Sequence, residues 1–329
     1  MTKIVYLHLG QHKTGTSSIQ SWLWQNKAAV SAAGYLLPET GMANGAHHGF
    51  FYAFQGIKNH NRPERHLAAL RDEIRACDAD RVIVTSEEFE RFTLPMVAAL
   101  VQHLAEFDLR PILYIRRQES YLLSDYGQQI KMGAALAPFD AYLDKPTFPD
   151  RFNLLGLIGT WIPSRLLSNG HIAVYDALGE QSVVEHFCAL VGLSDLVTRH
   201  PPDQVRSNAS WSFEQVDLIR RVSVRLKADH QIKAPQIQPI YARHFDRLRN
   251  LCPDHATRLW PTRQQHNKIA RQYWQTNHHA ARLAGLDPVA TQCLTFKTQT
   301  DRVLQDPPHL ATEAQVDEGV KLALNLLGR

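Results

Sequence analysis

A lysine set inside a glycine-bounded, hydroxyl-rich turn is the first group in this chain whose surroundings suggest chemistry. The turn, Gly10-Gln11-His12-Lys13-Thr14-Gly15-Thr16-Ser17-Ser18, follows the apolar run Ile4-Val5-Tyr6-Leu7-His8-Leu9 and precedes a helix-like stretch. A strand that runs through such a turn into a helix presents unpaired backbone N–H groups and the positive end of the helix dipole to one anion. Sited there, the ammonium of Lys13 can reach the bridging oxygen of a bound phospho-anhydride, where negative charge develops as the leaving phosphate departs. Thr14, Thr16, Ser17 and Ser18 add hydroxyl donors, and the backbone of Gly15, Thr16 and Ser17 adds N–H groups. A helix cap accounts for one such hydroxyl, not for four beside a glycine. Gly10 and Gly15 have P-loop spacing, but Thr16 stands where a nucleotide triphosphatase carries lysine.

A second set of polar groups lies at Ile112-Leu113-Tyr114-Ile115-Arg116-Arg117, followed by a helical pattern that includes Ser124. The strand delivers Arg116 at its C-terminal end, and Ser124 falls about two helical turns later. Ligands of open parallel sheets sit outside the carboxyl ends of the strands, so Arg116 is expected to face the same crevice as the Lys13 loop. A guanidinium grips two oxygens of one phosphate. Taken alone, Arg116 fits a surface ion pair with Glu119 or Asp125 better than a phosphate site, since such pairs are common.

The elements that position these groups alternate between strand and helix patterns. Strands are expected at Lys3–Leu9, Arg81–Thr85, Arg110–Arg116 and His171–Asp176. Helices are expected at Thr16–Ala33, Arg65–Cys77, Pro95–Phe107, Glu119–Met132, Leu154–Leu167 and Gln181–Val191. This order predicts an α/β fold, a P-loop-like parallel sheet flanked by helices. After His200-Pro201-Pro202-Asp203 strand signals nearly vanish, and helices are read at Phe213–Ala228, Ile240–Asn250 and Gln264–Ala284, with a polar tail beyond Asp287. Residues 1–200 are thus expected to form a nucleotide-binding core, and 201–329 a helical region completing the same domain and the acceptor site.

Composition narrows the function classes. The net charge of +4 and the 17 histidines suit anionic ligands, while no basic run or aromatic-interleaved patch suggests a nucleic-acid partner. Cys77, Cys188, Cys252 and Cys293 lack paired C-x-x-C spacing, so no metal site is expected and reduced thiols are. No segment approaches the roughly 18 apolar residues of a membrane span. The first strand begins near residue 3, leaving no room for a signal peptide. A soluble, cytoplasmic protein with no integral membrane segment is the expectation.

Together, Lys13-Thr14-Gly15-Thr16-Ser17-Ser18 after the first strand and Arg116 with Ser124 after a later one resemble the donor-binding elements of sulfotransferases that use 3′-phosphoadenosine 5′-phosphosulfate (PAPS). The opening His8-Leu9-Gly10-Gln11-His12-Lys13-Thr14-Gly15 is similar to that of bacterial sulfotransferase-family proteins. Thr85–Phe89, Val183–Leu193, Arg206–Ser210 and Ile269–Asn277 agree with the family, so the resemblance spans about residues 3–285. It implies transfer of a sulfuryl group to a hydroxyl or amine acceptor, with 3′,5′-adenosine bisphosphate (PAP) released and no metal involved. Lys13 through Ser18 would hold the 5′-phosphosulfate, Arg116 and Ser124 the 3′-phosphate, and Arg206 and Asn208 would assist on the nucleotide. The chain lacks the glycine-rich C-terminal loop of the eukaryotic cytosolic members.

Such a transfer needs a group that removes the acceptor proton. His47 and His48 follow the turn-rich Pro38–Gly45, where the family carries a Glu or His facing the acceptor, and Glu87 and Glu88 follow the strand Arg81–Thr85. An imidazole titrates near neutrality. His47 is therefore the expected base and Glu87 the orienting or second acid/base group, with His48 the alternative. A P-loop kinase or nucleotide hydrolase, and a catalytically silent carbohydrate-binding relative, are the competing functions. The acceptor, whether carbohydrate, lipid or small hydroxyl compound, and the oligomeric state have no signature in the chain.

Overall fold

Short runs of alternating apolar residues build one five-stranded sheet. The computed structural model describes residues 2–57, 62–134, 136–144, 152–161, 169–202, 212–252, 261–295 and 310–328. Its strands are β1 (Ile4–His8), β2 (Tyr35–Leu36), β3 (Arg81–Thr85), β4 (Asp108–Ile115) and β5 (His171–Val174), in the order β2-β3-β1-β4-β5. Every pairing is parallel. From β1 the chain passes through α1 (Thr16–Gln25) and α2 (Lys27–Ala32) to the edge strand β2, returns to β3 beside β1, and then crosses to β4 on the other side of β1. The order of strands therefore reverses at β1, and such a reversal opens a crevice beyond the carboxyl ends. His8 is level with Thr85 of β3 and Ile112 of β4, so the Lys13 loop leaves the sheet at that crevice.

Side chains that alternate along each strand bury on opposite faces. Val5, Leu7, Val82, Val84, Leu113 and Ile115 pack against α3 (Gly49–Gln55), α4 (Pro63–Ala76), α5 (Leu94–His103) and the helix Leu154–Trp161. Tyr6, Ile83, Ile112 and Tyr114 pack against α1, α2 and the helix Val183–Val191. The result is an α/β sheet covered by helices on both faces, as the alternation of patterns implies.

The boundaries differ from expectation in instructive places. Thr16–Ala33 is two helices, because Asn26 leaves helical geometry at φ −104° and its side-chain amide donates to the Trp22 carbonyl at 2.9 Å. β2 has two residues, too few for a period-two signal. The stretch beyond Asp287, expected as a polar tail, instead contains the helices Pro288–Leu294 and Glu313–Leu326. Asp287 caps the first by accepting from the Ala290 amide, and Thr312 with Gln315 forms a capping box on the second. Val316, Val320 and Ala323 bury one stripe of that second helix, while Glu313, Gln315, Asp317, Glu318 and Lys321 interrupt its apolar pattern.

The chain packs as two compact units. One comprises Met1–Arg117, Asn153–Gln204 and Tyr273–Thr298 and holds the whole sheet; the other comprises Gln118–Phe152, Val205–Gln272 and Gln299–Arg329. Residues 118–152, inside the expected 1–200 core, thus belong to the helical unit. There α6 (Gln118–Lys131) and α7 (Phe139–Leu143) join the helices Phe213–His230, Ala234–Arg249 and Glu313–Leu326. Phe213–His230 and Glu313–Leu326 approach so closely that a Cβ on Gly319 would lie 2.7 Å from the Val222 side chain. No described helix is long and apolar enough to cross a membrane.

Leu113, fully buried in β4, is expected to destabilise the fold by about 3 kcal/mol when changed to Ala, as core truncations do. Leu94→Ala, at a 54% exposed position, is expected to change stability by less than about 0.5 kcal/mol. Urea unfolding of the two variants beside the parent reads the difference, and equal midpoints would remove β4 from the core.

Candidate functional site

The loop after β1 is shaped by backbone geometry. Lys13 takes φ +68° and Gly15 φ +78°, two left-handed residues that turn the chain sharply into α1. Gly15 is the N-cap of α1 and no side chain caps the helix, so neither Thr14 nor Thr16 plays that part. A Cβ at Gly15 would meet the Val183 side chain at 2.7 Å, so positive φ and close packing both call for glycine. Ser18 N–H bonds back to the Gly15 carbonyl at 3.0 Å, leaving the first-turn amides of Thr16 and Ser17 without intrahelical acceptors. Ser17 and Ser18 are exposed, Lys13 is half-buried and Thr16 is buried. The Thr14 hydroxyl, expected to face an anion, is fully buried and donates to the Gln11 carbonyl at 2.6 Å, which spends it on the loop itself.

Arg116 meets this loop directly. Its Nη1 donates to the Lys13 carbonyl at 2.7 Å, and its amide donates to Gln11 Oε1 at 2.9 Å. The Gln11 amide in turn donates to the Tyr114 carbonyl at 3.2 Å. Asp176, just beyond β5, sits 3.7 Å from Arg116 Nε and accepts from the Arg117 amide at 2.9 Å, while the guanidinium lies 5.2 Å from the centre of the Tyr175 ring. The acidic partner is therefore Asp176, not Glu119 or Asp125, and the guanidinium braces the loop. Ser124 is half-buried on α6, in the helical unit. Arg206 and Asn208 lie outside the described residues.

Beyond the carboxyl ends of β1 and β3 lies a buried polar cluster that joins the loop to the opposite wall. His48 Nδ1 is 2.8 Å from Ser86 Oγ, and its Nε2 is 3.7 Å from Glu87 Oε1. Ser86 is fully buried and its oxygen already accepts from the Glu88 amide at 3.2 Å. His48 Nδ1 is the acceptor within reach of the Ser86 hydroxyl proton, which places the His48 proton on Nε2, toward Glu87. Gln20 Nε2 donates to Glu87 Oε2 at 2.7 Å and lies 3.4 Å from Thr85 Oγ1. His8 Nδ1 is 2.8 Å from the same Thr85 oxygen. On the loop side, Glu90 accepts from the His12 amide at 3.0 Å and lies 3.4 Å from His12 Nε2. Burial alone would raise the Glu87 carboxyl, but the Gln20 hydrogen bond and the nearby His48 and His12 outweigh it and hold the group below the usual carboxylate range. The serine, histidine and glutamate follow the order of a hydrolytic triad, yet a fully buried Ser86 has no access to a substrate.

His47, expected as the base, has no such freedom. It is fully buried, its Nδ1 accepts from the Thr85 amide at 3.0 Å, and its Nε2 faces the Pro38 carbonyl at 3.0 Å. Both ring nitrogens are committed to backbone, and burial pulls its pKa down to about 4. The imidazole is a neutral pin between the Pro38 loop and the end of β3. The correction follows from tertiary contacts: Pro38 and Thr85 are distant in sequence, so nothing local separates His47 from His48. Gln20, Ser86 and His48 are the cluster members that sequence reasoning underweighted. Ser86 has a signal, standing directly after a strand and before two glutamates; Gln20 has none, being one polar residue on a helix.

Comparison with protein-family models, with curated proteins and with solved structures found no match to this chain. The functional reading therefore rests on the residues and their geometry.

The buried imidazoles give the fold an acid limit. His8 and His47 both titrate at about 4 when folded, chiefly through burial, against about 6.5 when unfolded. Between those values the unfolded chain binds more protons, so stability is lost as pH falls from about 6.5 toward 4, by on the order of 3 kcal/mol per imidazole. Urea midpoints at pH 7 and pH 5 should show this loss, and His47→Gln should make it smaller; an unchanged slope in the variant would exclude His47 as a source.

Proposed function

We propose that this chain is a sulfotransferase that moves a sulfuryl group from PAPS to a hydroxyl or amine acceptor. The observation that carries this reading is the Arg116 hydrogen bond to the Lys13 carbonyl. The two segments whose residues resemble donor-binding elements are distant in sequence, yet they meet beyond the ends of β1 and β4, where the strand order reverses. The uncapped start of α1 and its exposed Ser17 and Ser18 suit an anion that brings its own negative charge. A sulfuryl group carries less charge than a terminal phosphoryl group, which fits a loop with Thr16 in the position of the nucleotide-triphosphatase lysine.

In the proposed reaction the acceptor oxygen or nitrogen forms a bond to sulfur while the bond from sulfur to the bridging oxygen of the 5′-phosphate breaks in line. The electron pair leaves with PAP, and the Lys13 ammonium stabilises the charge that gathers on the departing oxygen. Glu87 takes the acceptor proton. It is ionised at neutral pH, one of its oxygens is held by Gln20, and the other stands beside His48 Nε2. His48 presents a hydrogen there instead of a lone pair, so it steadies the carboxylate and does not compete for the proton.

PAP without magnesium is expected to raise the melting temperature by several degrees, since a ligand at about 100 times its Kd contributes about 2.7 kcal/mol. Stabilisation by ATP with magnesium alone would sink the proposal. Lys13→Ala and Arg116→Ala are expected to weaken PAP binding at least about tenfold, a loss of about 1.4 kcal/mol. Glu87→Gln should keep PAP binding and lower hydrolysis of the sulfate donor by about 100-fold or more. His47→Ala should instead lower the melting temperature.

A further inference from the structure

Gln20 lies on α1, about one turn beyond the residues that begin the helix, and it is 7% exposed. Its carboxamide nitrogen carries two hydrogens, and the two oxygens within reach are Glu87 Oε2 at 2.7 Å and Thr85 Oγ1 at 3.4 Å. The reversed amide would set an oxygen against a carboxylate, so the nitrogen faces Glu87. The bond to Glu87 is short and charge-assisted, and the one to Thr85 anchors the amide to the end of β3. The helix whose first turn faces the proposed donor is thus tied, one turn later, to the carboxylate that faces the proposed acceptor.

Resting on the sulfotransferase reading, we propose that Gln20 is a positioning residue: its amide holds Glu87 Oε2 so that Oε1 is left to take the acceptor proton, and it couples the seat of the donor on α1 to the placement of the base. The other groups around Glu87 are His48 before α3, His12 from the loop, His8 from β1, and Glu88 and Glu90 from its own turn. None of these is substituted when Gln20 alone is changed. Loss of the amide removes a hydrogen bond that favours the ionised carboxyl, so the base stays protonated to higher pH.

Gln20→Met keeps the length and bulk of the side chain and removes the donor. Hydrolysis of PAPS, with water as acceptor, is followed against pH beside PAP binding by calorimetry and a 13C titration of side-chain carboxyls, with Glu87→Gln identifying the Glu87 signal. The expected result is PAP affinity within about threefold of the parent, turnover lowered about tenfold or more, and both the acidic limb of the rate profile and the Glu87 titration moved to higher pH. Gln20→Asn, which retains a shorter amide, should fall between. An acidic limb and a Glu87 titration that stay in place while turnover falls would overturn the positioning role and leave the sulfotransferase reading standing. A parent chain that neither binds PAP nor turns over PAPS would overturn both.

Discussion

The loop after β1 has its shape because it is stitched to the end of β4. Gln11 donates from its backbone to Tyr114 and accepts through its side chain from Arg116, whose guanidinium then closes on the Lys13 carbonyl. A left-handed Lys13 is costly for a residue with a side chain, and these bonds hold it there. With Lys13 so held, Gly15 turns the chain into α1, no side chain caps the first turn, and Gln20 comes down beside Glu87. The proposed seat for an anion and the placement of Glu87 are consequences of one backbone arrangement.

Around that loop the protein separates two kinds of polar burial. His8 and His47 are neutral groups fixed by hydrogen bonds, whose burial makes their charged forms costly. Glu87 is the opposite case, a carboxylate kept ionised by a carboxamide and nearby imidazoles although it is largely buried. An ionised carboxyl at a half-buried position needs such partners, because burial by itself would favour the neutral form. Thr85 links the two kinds, because its hydroxyl lies between His8 and Gln20 while its backbone pins His47.

Much of the fold was legible in the chain because it rests on local pattern. Strand runs such as Ile4–His8 and Arg81–Thr85 alternate apolar residues toward two faces, and helices such as Val183–Val191 carry their own capping boxes. What escaped was short or marked by few residues: the two-residue β2, the break at Asn26, and the last helix, whose buried apolar side chains are the small set Val316, Val320 and Ala323.

The same division runs through the candidate site. Sequence alone determined that Lys13 sits in a glycine-bounded turn between a strand and a helix and that Arg116 ends another strand, because these depend on neighbours in the chain. Only the tertiary structure decided that Arg116 braces Lys13, that Thr14 is spent inside the loop, and that His48 and Glu87 face each other while His47 is locked to Pro38 and Thr85. Adjacent histidines are equivalent as letters. Burial and the geometry of distant backbone groups distinguish them, because whether an imidazole has a nitrogen to offer depends on what the rest of the chain has placed against it.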